Sequence, residues 1–210
     1  GLSTLKFLQK KCEIYVYDDF IEKIKFPKIK KKIIKFNNIS KSKFDKIILS
    51  PGIDINNCKL SSFLKKNREK IYTDLDVFFS FYRNDCITIT GTNGKSTTCQ
   101  ILYEVLKKQK FDVRLVGNIG TPILSVKNIN KKTLFVIEAS SYQLEYSKIF
   151  KSNYSAILNI SSDHIERHKT LNQYTKAKFK LLKSQIKGDF AFVKKSDKFI
   201  NEELKLYNFK

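Results

Sequence analysis

The run Ile87, Thr88, Ile89, Thr90, Gly91, Thr92, Asn93, Gly94, Lys95, Ser96, Thr97, Thr98 constrains this chain more than any other stretch. Residues 86–90 are β-rich. Two glycines and an Asn break the pattern, and apolar residues then recur at helical spacing as Ile101, Leu102, Val105 and Leu106. A strand that turns through Gly-Thr-Asn-Gly into a helix aims several backbone N–H groups, and the positive end of the helix dipole, at one point. Such a point suits a phosphate. Lys95 adds a mobile positive charge for the β- and γ-phosphates, and the Ser96 hydroxyl is placed to ligate a divalent metal. The pattern is a shortened Walker sequence, because Ile89 stands where its first glycine belongs. The bland alternative is a strand–turn–helix corner that merely carries a lysine.

The rest of the chain alternates strands and helices around that corner. Residues 2–11 read as an amphipathic helix. Residues 13–17 read as a strand, ending at Asp18 and Asp19. These acids are either the acidic end of a nucleotide-binding strand or plain turn residues. Residues 28–46 are lysine-rich and read as a solvated face. Residues 46–49 form a buried strand stopped by Ser50, Pro51 and Gly52, a turn at a strand's C-terminal end, where open α/β sheets bind ligands. Helices follow at 60–70 and 75–82, with a brief strand at 71–72. The polar break Arg83, Asn84, Asp85 divides the chain into domains at 1–84 and 85–210. Beyond it come strands at 113–116, 134–137, 154–160 and 190–193, and a helix at 174–187. Each polar cluster falls just after a strand, which predicts a doubly wound parallel α/β sheet with one active-site rim.

Composition narrows the function. No apolar run approaches the roughly 20 residues of a membrane span, and no secretory signal is visible. Cys12, Cys58, Cys86 and Cys99 are scattered, as expected for reduced, mostly buried thiols in a cytoplasmic protein. A chain without Met that opens Gly-Leu-Ser inside a helix is expected to be a piece of a longer one. The net charge of +21 raises nucleic acid as a partner. Arginine, the better reader of phosphates and bases, stands only at 68, 83, 114 and 167, which argues against it as the primary partner.

On the rim, Glu138 ends a buried strand, where a carboxylate needs a positive partner: a Mg²⁺ shared with Ser96, or a lysine. His164 follows Asp163 at another strand end. His164 and His168 are spaced like a zinc pair, but Glu166 is one place late for H-E-x-x-H and no third ligand is evident.

Taken together, Gly91 to Thr97, Gly117-Asn-Ile-Gly-x-Pro122, Glu138-x-Ser-Ser-Tyr-Gln-Leu-Glu145 and Asn159-Ile-x-x-Asp-His164, in this order, resemble the Mur ligase family over nearly the whole chain. The turn at 50–53 and the run at 138–145 look most like the member that adds D-glutamate. The resemblance implies a Rossmann-like uridine-binding domain followed by a P-loop ATPase domain that is incomplete here. It implies ATP-dependent joining of D-glutamate to UDP-N-acetylmuramoyl-L-alanine through an acyl phosphate, in peptidoglycan precursor synthesis, by a monomer. Gly91, Thr92, Asn93, Gly94, Lys95, Ser96 and Thr97 would bind ATP. Ser96 and Glu138 would hold one Mg²⁺, and His164 with a carbamylated Lys178 a second; Lys95, Lys178 and His164 are the implied catalytic residues. Asn118, Ser140 and Gln143 would contact the muramoyl substrate, and Asp18, Ser50, Pro51 and Gly52 the uridine.

Glu166 departs from the family, which has Asp two places after the His, and the loop to Lys178 is slightly short. The family's third domain, which closes over ATP and contacts D-glutamate, has no counterpart, so the 210-residue piece alone is expected to be inactive. The alternatives are a sister ligase or folylpolyglutamate synthase adding another amino acid and, outside the class, a lysine-rich nucleic-acid-binding protein.

Overall fold

Local sequence decides where the first elements start and stop. The computed structural model describes residues 1–20 and 32–207, so the lysine-rich stretch at 28–46 lies partly outside the described residues. Helix α1 (Leu2–Leu8) is followed by the single turn α2 (Phe36–Ile39). Strand β1 (Ile47–Ile48) runs parallel to β2 (Ile71–Tyr72), with α3 (Ser61–Lys66) between them. Leu49, Ile55, Leu64 and Ile71 form the core of this unit. Helix α4 (Asp74–Phe81) begins at a capping box: Thr73 Oγ1 accepts from the Asp76 N–H, and the Asp76 carboxylate accepts from the Thr73 N–H. The strand expected at 13–17 reduces to one bridge, Val16 to Ile33. An alternating pattern reports which residues would share a face, not whether a partner strand lies beside them.

Next come β3 (Cys86–Thr90), α5 (Lys95–Lys108), β4 (Val113–Gly117), β5 (Leu134–Glu138) and α6 (Ser141–Tyr146). The chain continues through β6 (Tyr154–Ile157), α7 (Ile165–His168), α8 (Leu171–Lys183), β7 (Phe190–Val193) and α9 (Lys198–Leu204). Strands β3 to β7 build one parallel sheet in the order β4-β5-β3-β6-β7. The first strand thus sits at the centre. The chain departs from it to one side through β4 and to the other through β6, which puts the topological switch point at its C-terminal end.

Helices cover both faces, which is why β5 is apolar throughout up to its last residue. On one face Leu75 and Phe78 of α4 pack with Phe135, Ile137 and Leu144, and the Phe78 and Phe135 rings meet edge to face at 4.8 Å. On the other, Cys99 and Leu102 of α5 close over Ile89 and Val136. Burial pushes the Cys86 and Cys99 thiols up, to about 12 for Cys99.

Asp76 fastens the start of α4 to the segment after α6. It is fully buried. Its Oδ1 accepts from the Ser147 hydroxyl and from the Lys148, Ile149 and Phe150 N–H groups at 2.9–3.0 Å, while Oδ2 takes the Thr73 N–H at 2.9 Å.

Candidate active site

The loop after β3 is shaped by its neighbours. Gly91 has φ +150°, and a Cβ there would come 3.1 Å from Leu158 Cβ and 3.3 Å from the Leu158 and Asn159 backbone nitrogens, so any other residue would be strained and would crowd that segment. The Thr92 N–H donates to the Asn159 carbonyl (2.9 Å) and the Asn93 N–H to Asn159 Oδ1 (2.9 Å). Thr92 Oγ1 accepts from the Ser161 N–H at 3.0 Å and lies 3.2 Å from the Tyr174 hydroxyl. Gly94 is left-handed and opens α5, whose first backbone bond runs from the Thr98 N–H to the Gly94 carbonyl. The N–H groups of Gly94, Lys95, Ser96 and Thr97 therefore have no intrahelical acceptor and point out of the helix start. Lys95 Nζ folds back to donate to the Thr92 carbonyl at 2.8 Å.

Two further side chains meet this loop and the helix it opens, and a third, His164, stands beyond Tyr174. Glu138, the last residue of β5, is 1% exposed; Oε2 accepts from Ser96 Oγ at 2.7 Å and Oε1 from Asn118 Nδ2 at 2.8 Å. Lys178 of α8 is buried too, with Nζ donating to the Gly91 carbonyl at 2.8 Å and resting 4.4 Å from the Tyr174 ring centroid. Burial first, and then the Lys95 charge, lower its pKa to about 7. His164 enters α7 at φ 52°, ψ 33°, its Nε2 3.4 Å from Asp163 Oδ2, with its ring 4.8 Å from Tyr142 and 6.2 Å from Tyr174. Lys95, Ser96, Glu138 and Lys178 thus meet at the loop after β3, while His164 is linked to that loop only through Tyr174, whose hydroxyl lies against Thr92.

The other sequence-derived residues make contacts of their own. Ser140 and Gln143 form the capping box of α6, and Gln143 Nε2 reaches Asp74 at 3.3–3.4 Å. Ser50, Pro51 and Gly52 form a turn closed by the Ile53 N–H on the Ser50 carbonyl, and Gly1 approaches Ser50 Oγ. Asp18 caps its own turn by accepting from the Phe20 N–H, and no described contact ties it to Ser50. His168 lies against the same Tyr142 and Tyr174 rings as His164; it is buried and shares a 3.0 Å bond with Ser141 Oγ. No group of three or more His, Cys, Asp or Glu that could hold a metal occurs among the described residues. Tyr174, Asn159 and Arg167 were not singled out for roles in the sequence, because they shape the site by contact rather than by a reactive group.

Residues 89–209 match the family model described as the Mur ligase middle domain. The chain belongs to the Mur ligase family. UDP-N-acetylmuramoylalanine–D-glutamate ligase of Rickettsia bellii is 34% identical over 206 residues, 96% of this chain and 45% of that protein. The ligase of the same description from Caldicellulosiruptor bescii is 41% identical over 140 residues, 66% of this chain and 30% of that protein. The chain spans about half the length of the curated relatives it matches over nearly its whole extent. Among solved structures, UDP-N-acetylmuramate:L-alanyl-gamma-D-glutamyl-meso-diaminopimelate ligase from Neisseria meningitides superposes with a TM-score of 0.56 at 12% identity. That match covers 88% of this chain and 65% of that one, and shows the shared fold.

Mur ligases use ATP and Mg²⁺. The residues here fit both. The free N–H groups at the start of α5 suit phosphate oxygens. Ser96 Oγ and Glu138 Oε2, 2.7 Å apart, are the hard oxygen donors that Mg²⁺ takes alongside phosphate and water.

Proposed function

We propose that this chain is the nucleotide-sugar-binding and ATP-binding part of an amide ligase that joins D-glutamate to UDP-N-acetylmuramoyl-L-alanine through an acyl phosphate. The observation that carries the reading is the Ser96–Glu138 contact facing Lys95 at the helix start, with Lys178 buried against the same loop.

In this reading Gly91, Thr92 and Asn93 keep the loop in shape, and Gly94, Lys95, Ser96 and Thr97 take the β- and γ-phosphates of ATP. Lys95 leaves the Thr92 carbonyl for the phosphates and stabilises charge as the phosphoryl group passes to the substrate carboxylate. Ser96 and Glu138 hold one Mg²⁺, which when bound shields the phosphate oxygens. His164 and Lys178 hold a second. An amine with a pKa lowered to about 7 has a substantial neutral fraction near pH 7, and the neutral amine is the form that adds CO₂ and releases a proton to become a carbamate. Asn118, Ser140 and Gln143 orient the muramoyl part, and Ser50, Pro51, Gly52 and Asp18 the uridine.

The domains divide near residue 84, with α4 as the link that Asp76 fastens. The whole protein works as a monomer in the cytoplasm, a place consistent with four free cysteines. The test is ADP release by the full-length protein that requires both D-glutamate and UDP-N-acetylmuramoyl-L-alanine. Lys95→Ala should slow it at least about a hundredfold, the effect of losing one preorganised transition-state contact. Equal turnover with other amino acids, or unchanged turnover in the variant, rejects the reading.

A further inference from the structure

Arg167 is one of four arginines in a chain with 41 basic residues. Where lysine prevails, a guanidinium marks a position that uses its planar fork. Its side chain is only 7% exposed. Nη2 donates to the Ile53 carbonyl at 2.8 Å, and Nε and Nη2 lie 3.2 and 3.1 Å from Glu145 Oε2. Asp54 Oδ1 stands 4.0 Å from Nε, and the guanidinium lies over the Tyr142 ring at 4.9 Å and the Tyr146 ring at 5.6 Å. One side chain therefore gathers the turn after β1, the helix after β5, and the single turn α7 from which it springs.

Helix α7 requires such an anchor. It has four residues, entered through His164 at φ 52° and left through Lys169 at φ 66°. A lone turn between two left-handed residues has no propagation to offset the cost of nucleating it. It is held from outside, by His168 on Ser141 and by Arg167 on Glu145 and Ile53. The second anchor crosses to the segment that carries Ser50, Pro51 and Gly52.

We infer that Arg167 is a positioning residue that locks the turn at 50–53 to His164, so that the seat of the nucleotide sugar and the imidazole on the rim hold one geometry. This rests on the proposed roles of that turn and of His164. Arg167 acts through Ile53 and Glu145, the groups its guanidinium holds. Losing the guanidinium frees the turn and α7 together and leaves the loop at 91–97, stitched by Asn159, as it was.

The test uses the full-length protein with Arg167→Ala and Arg167→Lys, the lysine variant keeping the charge without the fork. Arg167→Ala should raise KM for UDP-N-acetylmuramoyl-L-alanine about tenfold, the equivalent of one charge-assisted hydrogen bond, with KM for ATP unchanged and Arg167→Lys in between. Amide hydrogen exchange should accelerate together at Ile53 and Asn57 and at His168 and Lys169, whose N–H groups close the two turns, and stay unchanged at Thr92. Should the alanine variant fail to fold, the lysine variant gives the same two readouts. Equal rises in both KM values, or faster exchange in only one of the two segments, would overturn the inference. If the wild-type protein shows no D-glutamate-dependent ADP release, the proposed function fails, and the exchange data alone still decide the coupling.

Discussion

Glu138→Gln separates what the buried carboxylate does for folding from what it does for the metal. The carboxylate has two partners, Ser96 Oγ at 2.7 Å and Asn118 Nδ2 at 2.8 Å. Glutamine can keep both. Its oxygen faces the Asn118 amide, and its NH₂ faces Ser96, whose hydroxyl rotates from donor to acceptor. The two bonds lose charge assistance, about 1 kcal/mol each, and the change is offset in part because a charge is no longer buried. The net effect on stability should stay within about 1 kcal/mol, a Tm shift of no more than roughly 4 °C for a chain of this size. The effect on Mg²⁺ should be large, since an amide oxygen replaces an anionic ligand of a hard cation. The assay is thermal unfolding of the full-length protein with ADP, with and without Mg²⁺. At a hundred times the dissociation constant a ligand adds about 2.7 kcal/mol of stability. Wild type should gain an increment from Mg²⁺ on top of ADP, and Glu138→Gln should gain none. An equal Mg²⁺ increment in the variant would refute the metal role. A loss above about 3 kcal/mol without ligand, beyond what charge assistance supplies, would refute the assigned bonding.

Two predictions concern the scaffold. Asp76→Asn must set an NH₂ against either the Thr73 N–H or the three consecutive N–H groups at 148–150. The milder choice breaks the cap of α4 and removes charge assistance elsewhere, about 3 kcal/mol in all, or a Tm fall of roughly 6–12 °C; a fall under 2 °C would contradict it. His168 is held neutral by burial, with its pKa lowered to about 4. The unfolded chain, at about 6.5, binds one more proton between those values, so stability is complete above about pH 6.5 and declines by about 3 kcal/mol as pH falls to 4. His168→Asn should flatten that decline in urea unfolding measured across this range, and an unchanged slope would show that His168 is not its source.

The sequence was most informative where one chemical requirement dominates. A β-rich run, glycines at 91 and 94 and a helical repeat admit one geometry, and β3 and α5 follow it. The apolar run ending in Glu138 foretold a buried strand with a charge at its mouth. Short elements escaped notice. Helices α6 and α7, of six and four residues, span too few turns for a 3.6-residue period to show, and both depend on partners far along the chain. Helix α8 starts at Leu171, earlier than the apolar pattern indicates, because Thr170 caps it. Helix α9 hides among lysines and is announced only by Asp197, which accepts from the Phe199 and Ile200 N–H groups. The candidate site residues stood out by chemical type, while the contacts of Tyr174, Asn159 and Arg167 did not: nothing in a sequence says which polar side chain will lie beside which loop.

The contact of Gly91 with Leu158 and Asn159 has a mechanical corollary. A side chain added at Gly91 would press on Leu158 Cβ and on the Leu158 and Asn159 backbone nitrogens, and Asn159 bonds the same loop. The loop cannot be remoulded by whatever enters it without prising β3 from β6. Its curvature is inherited from strand pairing, so an arriving phosphate meets a finished mould.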